Sequence, residues 1–140
     1  MHRKPTFRRA ALLSITSDFQ QLITNNTYVC ISFYSYLDET YWGLLARFNG
    51  YVELLTRPGT LAFARADVEI LPAEAMEYGG WDGTPFSSTE YGNADGTQTL
   101  VFFENGRQIE INGELHVRGA KKIFDGMAKV FEMVTGELIE

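Results

Sequence analysis

Across residues 28–37, apolar and polar positions alternate along the chain. Val29, Ile31, Phe33 and Leu37 fall on one face, and Tyr28, Cys30, Ser32, Tyr34 and Tyr36 on the other. A period of two marks a β-strand. Asp38-Glu39 then supplies a polar turn into a second strand over 41–48. Asn49-Gly50 is a hairpin signal, because a type I′ turn needs positive φ at both positions, and it leads to a third strand over 51–56. Arg57-Pro58-Gly59 turns the chain into a fourth over 60–71, and 72–78 reads as a single helical turn. Two further Asn-Gly pairs, at 105–106 and 112–113, punctuate strands over 98–104, 107–111 and 114–117.

The helical period is clearest near the end of the chain. Over 118–135, Ile123, Met127, Val130, Phe131 and Val134 form one stripe, widened by Phe124 and Ala128. Gly136 stands where a C′ glycine ends a helix. Gly126, inside the stripe, costs about 1 kcal/mol relative to alanine and points to close packing of helix on sheet. At the other end, Phe7, Leu12, Ile15, Phe19, Leu22 and Ile23 recur at helical spacings after Pro5, and Ser17 is a candidate cap for a helix over 18–24. One helix, two helices, or a strand within 8–15 all fit this stretch.

Together these elements predict one α+β domain over 1–140. Its expected core is a curved antiparallel sheet of about six or seven strands in two meanders, with N-terminal and C-terminal helices on one face. No strand alternates with a helix long enough for a βαβ crossover, which argues against a parallel sheet. A basic arm over 1–6 and a long connection over 78–97 complete the outline. A single core suits 140 residues of which 45% are hydrophobic. No internal repeat is visible.

Charge singles out the connection. The formal net charge is −6, yet residues 66–106 hold eight acidic side chains and no lysine or arginine. Residues 77–97 carry five glycines together with Tyr78, Trp81, Phe86 and Tyr91, interleaved with Asp82, Glu90 and Asp95. Long irregular connections in compact domains are functional or disordered, and large aromatic rings argue against disorder. Tyr78, Trp81, Asp82, Phe86, Glu90, Tyr91 and Asp95 therefore form the first candidate site, with ring anchors and an acidic rim steering a protein with a basic surface. A second candidate is a ligand pocket on the tyrosine face, made of Tyr28, Cys30, Tyr34, Tyr36, Tyr41 and His116; that face equally suits an ordinary solvated sheet surface.

Catalytic chemistry finds few residues. Two histidines and one cysteine cannot furnish the four ligands of a structural zinc site. Asn93–Thr97 lacks the ligands of a calcium loop, and the glycines of 79–83 lack the lysine or spacing of a phosphate loop. No cofactor or metal is expected. The acidic balance makes nucleic acid an unlikely partner. One cysteine permits no internal disulfide, and no secretory or membrane-spanning stretch is evident, so a cytoplasmic protein without a membrane partner is expected. The resulting expectation is a small acidic, non-catalytic protein-binding module, such as an inhibitor, immunity-type antagonist or adaptor. A tyrosine-lined small-molecule binder or enzyme, or a protein that self-assembles through edge strands, are the alternatives.

Overall fold

The computed structural model describes residues 11–13, 16–36, 39–79 and 98–137. Its elements run β1 (Ala11–Leu13), α1 (Thr16–Asn25), β2 (Tyr28–Tyr34), α2 (Glu39–Leu55), β3 (Leu61–Asp67), α3 (Pro72–Glu77), β4 (Thr99–Glu104), β5 (Arg107–Ile109), β6 (His116–Arg118) and α4 (Ala120–Thr135). The strands form one sheet in the order β1-β3-β2-β4-β5, with β6 also paired to β4. β1 and β2 run parallel to β3, while β2–β4, β4–β5 and β4–β6 are antiparallel. The sheet is therefore mixed, and the expectation of a purely antiparallel pair of meanders is corrected. The crossovers that the sequence argued against are present, because α1 links β1 to β2 and α2 links β2 to β3.

The main departure is α2. The strands expected at 41–48 and 51–56 are one helix, and Asn49-Gly50 lies inside it rather than in a hairpin turn. Tyr41, Leu44, Phe48, Val52 and Leu55 recur at spacings of three and four, and all but Leu44 are buried. That is the period of one helix face. Gly43 and Gly50 sit in open space, so neither is required there by packing.

Helices cover both faces of the sheet, not one. Phe48, Val52 and Leu55 of α2 and Ile123, Met127 and Phe131 of α4 pack on Cys30, Leu61, Phe63, Leu100 and Phe102. Phe19 and Ile23 of α1 and Ala75 of α3 pack on the opposite face, against Val29, Ile31, Phe33, Val101 and Phe103. The alternation in β2 thus sorts residues between two cores, not between core and solvent.

Other local signals hold. Asn105-Gly106 and Asn112-Gly113 have φ of 52°, 81°, 54° and 82°, the left-handed pairs that tight hairpin turns require. Gly136 caps α4 in the left-handed region, its N–H donating to the Glu132 carbonyl. Gly126 is where α4 meets the sheet, since a Cβ built on it would lie 2.8 Å from Cζ of the fully buried Phe102. Alanine at an ordinary helix position stabilises by about 1 kcal/mol over glycine, whereas forcing extra atoms into a packed core costs about 1–3 kcal/mol. Gly126→Ala is therefore expected to lower stability, by up to about 2 kcal/mol, in urea unfolding. A gain in stability would show that the Phe102 ring yields freely. No helix among the described residues is long and apolar enough to cross a membrane.

Candidate functional site

In open sheets with parallel strands, ligands bind beyond the carboxyl ends of those strands. Here the carboxyl ends of β2 and β3 meet the first turn of α2, and polar side chains collect at that corner. Tyr34 closes β2, Arg65 and Asp67 close β3, and Tyr41 comes from α2. The Tyr34 and Tyr41 rings stack with centroids 3.8 Å apart and planes 8° from parallel. Arg65 Nη1 donates to Tyr41 Oη at 3.1 Å. Burial raises the Tyr41 hydroxyl pKa to about 12, with the hydrogen bond and charge of Arg65 pulling the other way. The Tyr34 hydroxyl is raised too, first by burial and secondarily opposed by Arg65.

The floor of the corner is polar as well. Ser32 of β2 is in register with Arg65 of β3, and Gln98, preceding β4, donates from Nε2 to Ser32 Oγ at 2.7 Å. Gln98 Oε1 is buried with no hydrogen-bond partner among the described residues. A buried acceptor without a partner is uncommon in folded proteins. At the rim, Tyr36 and Trp42 are half exposed. The Trp42 indole donates to the Tyr36 carbonyl, and its ring meets Tyr41 edge-on at 5.2 Å.

The structure divides the tyrosine-face candidate. Tyr34, Tyr36 and Tyr41 belong to the corner, though Tyr41 arrives on a helix and not on a neighbouring strand. Tyr28 lies at the other end of β2, about 20 Å away at the usual rise per residue, and donates to Glu104 Oε2 at 2.6 Å. Cys30 is fully buried in the α2/α4 core, where burial raises its thiol pKa far above the ordinary value. His116 is on β6, with Cδ2 2.5 Å from where a Cβ on Gly79 would stand. That contact requires the glycine, whose φ is +85°.

Of the acidic-aromatic candidate, Trp81, Asp82, Phe86, Glu90, Tyr91 and Asp95 lie outside the described residues, as does Asn93–Thr97. Tyr78 is described, and its ring turns inward. It stacks on Phe19 at 5.3 Å and meets Phe103 edge-on at 5.0 Å. The residue as a whole is half-buried. No group of three His, Cys, Asp or Glu among the described residues could hold a metal ion.

The chain resembles known proteins along most of its length. It is 22% identical over 108 residues to a thioredoxin of Neurospora crassa, covering 77% of this chain and 74% of that one. It is 25% identical over 111 residues to a thioredoxin-like protein of Fusarium culmorum, covering 77% and 78%. Among solved structures, an N21Q mutant thioredoxin from Halobacterium salinarum superposes with a TM-score of 0.63 at 21% identity, covering 99% of this chain and 100% of that one. Thioredoxin from Trypanosoma brucei brucei gives 0.65 at 10% identity, covering 96% and 98%. The chain has a thioredoxin-like fold. No protein-family model matches it.

These likenesses overturn the functional expectation. These relatives and structural neighbours are thioredoxins and a thioredoxin-like protein, not acidic inhibitors, antagonists or adaptors. Yet exchange of the thioredoxin kind runs through a Cys-X-X-Cys pair, and this sequence has a single cysteine. The corner beneath α2 is built from phenols, a guanidinium, a carboxylate, a hydroxyl and an amide instead.

Proposed function

We propose that the protein serves thiol–disulfide redox chemistry as a thioredoxin-like protein, with the corner beneath α2 taking a protein substrate and the exchanging thiols coming from another molecule. The observation that carries this reading is a thioredoxin-like scaffold whose one thiol is sealed inside β2 while its binding end stays polar and open. Disulfide exchange proceeds by attack of a thiolate on an accessible sulfur. Cys30 has no access to solvent, and its burial disfavours the thiolate. One sulfur also cannot close an internal disulfide, so two-electron transfer needs a dithiol elsewhere. The polypeptide-facing part survives in Tyr36 and Trp42, large rings of the type that anchor partners for little conformational cost.

Thiol-labelling mass spectrometry on native cell extract, with and without added protein, tests this. A subset of cysteine peptides is expected to change in oxidation by threefold or more. The change should persist with Cys30→Ala and vanish with Tyr41→Ala. Cysteine oxidation unchanged across the extract, or an effect abolished by Cys30→Ala, would overturn the reading.

A further inference from the structure

Arg65 poses a question of charge. It sits on β3, an interior strand between β1 and β2, and its side chain is only partly exposed. Partial burial of a guanidinium is costly unless the charge is paired. Among the described residues it hydrogen-bonds two neutral phenols, Tyr41 at 3.1 Å and Tyr34, and the ion pairs are Lys121–Asp125 and Lys122–Glu114, both involving α4. Carboxylates are not scarce, with 18 acidic residues against 12 basic ones. Asp67, two residues along the same strand, directs Oδ1 to the Glu69 N–H at 2.9 Å instead.

We infer that Arg65, with the Tyr41 hydroxyl beside it, is a carboxylate-binding site, and that the polypeptide received at the corner is an acidic one. The inference rests on the reading of that corner as a substrate site. A guanidinium has five N–H donors in a planar fork that matches a carboxylate with two parallel hydrogen bonds. Tyr41 Oη and the Tyr34 hydroxyl take up part of that donor set, and the remaining guanidinium N–H groups are left for a carboxylate. Asp67 already adds one negative charge at this corner, where it acts on Tyr34, so a phosphate dianion is disfavoured there against a single carboxylate in a chain of net −6.

The way in is visible from the sheet. On the edge strand, the residue in register with Arg65 is Leu12. Its neighbour Leu13 is buried in the α1/α3 core, so Leu12 faces the α2 side, where it is 52% exposed. α2 therefore leaves the β1 edge of this face open beside Arg65. Trp42 and Tyr36 flank the corner through Tyr41. A segment lying there meets an apolar rim, a guanidinium, and beyond Ser32 the buried acceptor of Gln98.

The test uses the full chain and two acetylated, amidated hexapeptide pools that differ only in a fixed central glutamate or glutamine, with binding read by isothermal titration at low ionic strength. The glutamate pool should bind at least tenfold more tightly. Arg65→Gln should bring both pools to the same affinity, and Arg65→Lys, which keeps the charge but not the fork, should retain an intermediate preference. Acetate should compete at least as well as inorganic phosphate. Equal affinity of the two pools for the unmodified protein, an unchanged preference in Arg65→Gln, or phosphate as the stronger competitor would each overturn the inference. If Arg65→Gln does not fold, the pool comparison and Arg65→Lys decide. Peptide binding involves no thiol, so a glutamate preference alongside unchanged cysteine oxidation would remove the redox reading alone, and the reverse result would remove only the carboxylate site.

Discussion

Phe19→Ala is expected to cost about 3–5 kcal/mol, the usual penalty for emptying a fully enclosed aromatic site. Phe19 has no exposed surface, and its ring contacts Phe33, Tyr78 and Phe103 at centroid distances of 6.4, 5.3 and 5.7 Å. It ties α1 to β2 and β4 and seats the residue that leads out of α3. Single domains are stable by only about 5–15 kcal/mol, so the variant loses a large share of its margin and melts roughly 10–20 °C lower. Urea unfolding followed by circular dichroism measures this, with the slope against denaturant unchanged. Tyr78→Phe keeps the ring and is expected to lose less than about 1 kcal/mol, because only a part-exposed hydroxyl goes. A loss below about 1 kcal/mol for Phe19→Ala would mean that the ring is not enclosed as described.

That same cluster shows what the sequence made legible. The alternation of Val29, Ile31 and Phe33 is a local property of β2, and so is the stripe of Ile123, Met127, Val130 and Phe131 in α4. The glycines at 106, 113 and 136 answer backbone requirements that a few residues can express. α2 was hidden because its residues favour the other reading. Tyr41, Trp42, Phe48, Tyr51 and Val52 are strand formers by propensity, and Asn49-Gly50 is a strong turn signal. Two interior glycines cost about 1 kcal/mol each in a helix. Burying Tyr41, Phe48, Val52 and Leu55 on one face outweighs that, at about 1.5–3 kcal/mol for a typical apolar side chain. The parallel pairing of β2 with β3 joins residues 33 apart, such as Tyr28 and Leu61, and no local pattern states which strands will meet.

The candidate site was legible only in pieces. Tyr34 and Tyr41 stand out as tyrosines near a turn, and the structure brings them together by a helix crossing over the sheet. Arg65 reads in sequence as one more polar residue of a strand, and neither its nearness to Tyr41 nor the pairing of Gln98 with Ser32 has a spacing that announces it. The lone cysteine was legible by count alone: one thiol excludes an internal disulfide, whereas its burial in the α2/α4 core, away from the tyrosine pocket expected for it, depends on which helices cover β2.

Alkaline pH is expected to undermine the corner and with it the fold. In an unfolded chain a tyrosine hydroxyl titrates near 10, whereas in the folded protein Tyr41 holds its proton to about 12, first because it is buried and despite the opposing Arg65. Below pH 10 both states are protonated, and the Tyr41 contribution is fully present. Between pH 10 and 12 the unfolded state releases the proton and the folded state does not, so stability falls as pH rises. A shift of this size corresponds to at most about 3 kcal/mol. Tyr34 and Tyr78, raised first by burial, and Tyr28, raised first by its hydrogen bond to Glu104, act in the same direction. Urea midpoints measured from pH 8 to 11.5, with tyrosinate absorbance near 295 nm as a second readout, should show stability declining from about pH 10 upward. Tyr41→Phe should cost about 0.5–1.5 kcal/mol at neutral pH, for the lost hydrogen bond to Arg65, and should flatten the alkaline decline. Stability that stays level up to pH 11.5, or a decline that Tyr41→Phe leaves intact, would show that the Tyr41 hydroxyl meets solvent, and the stacked pair would then not be the closed base of this corner.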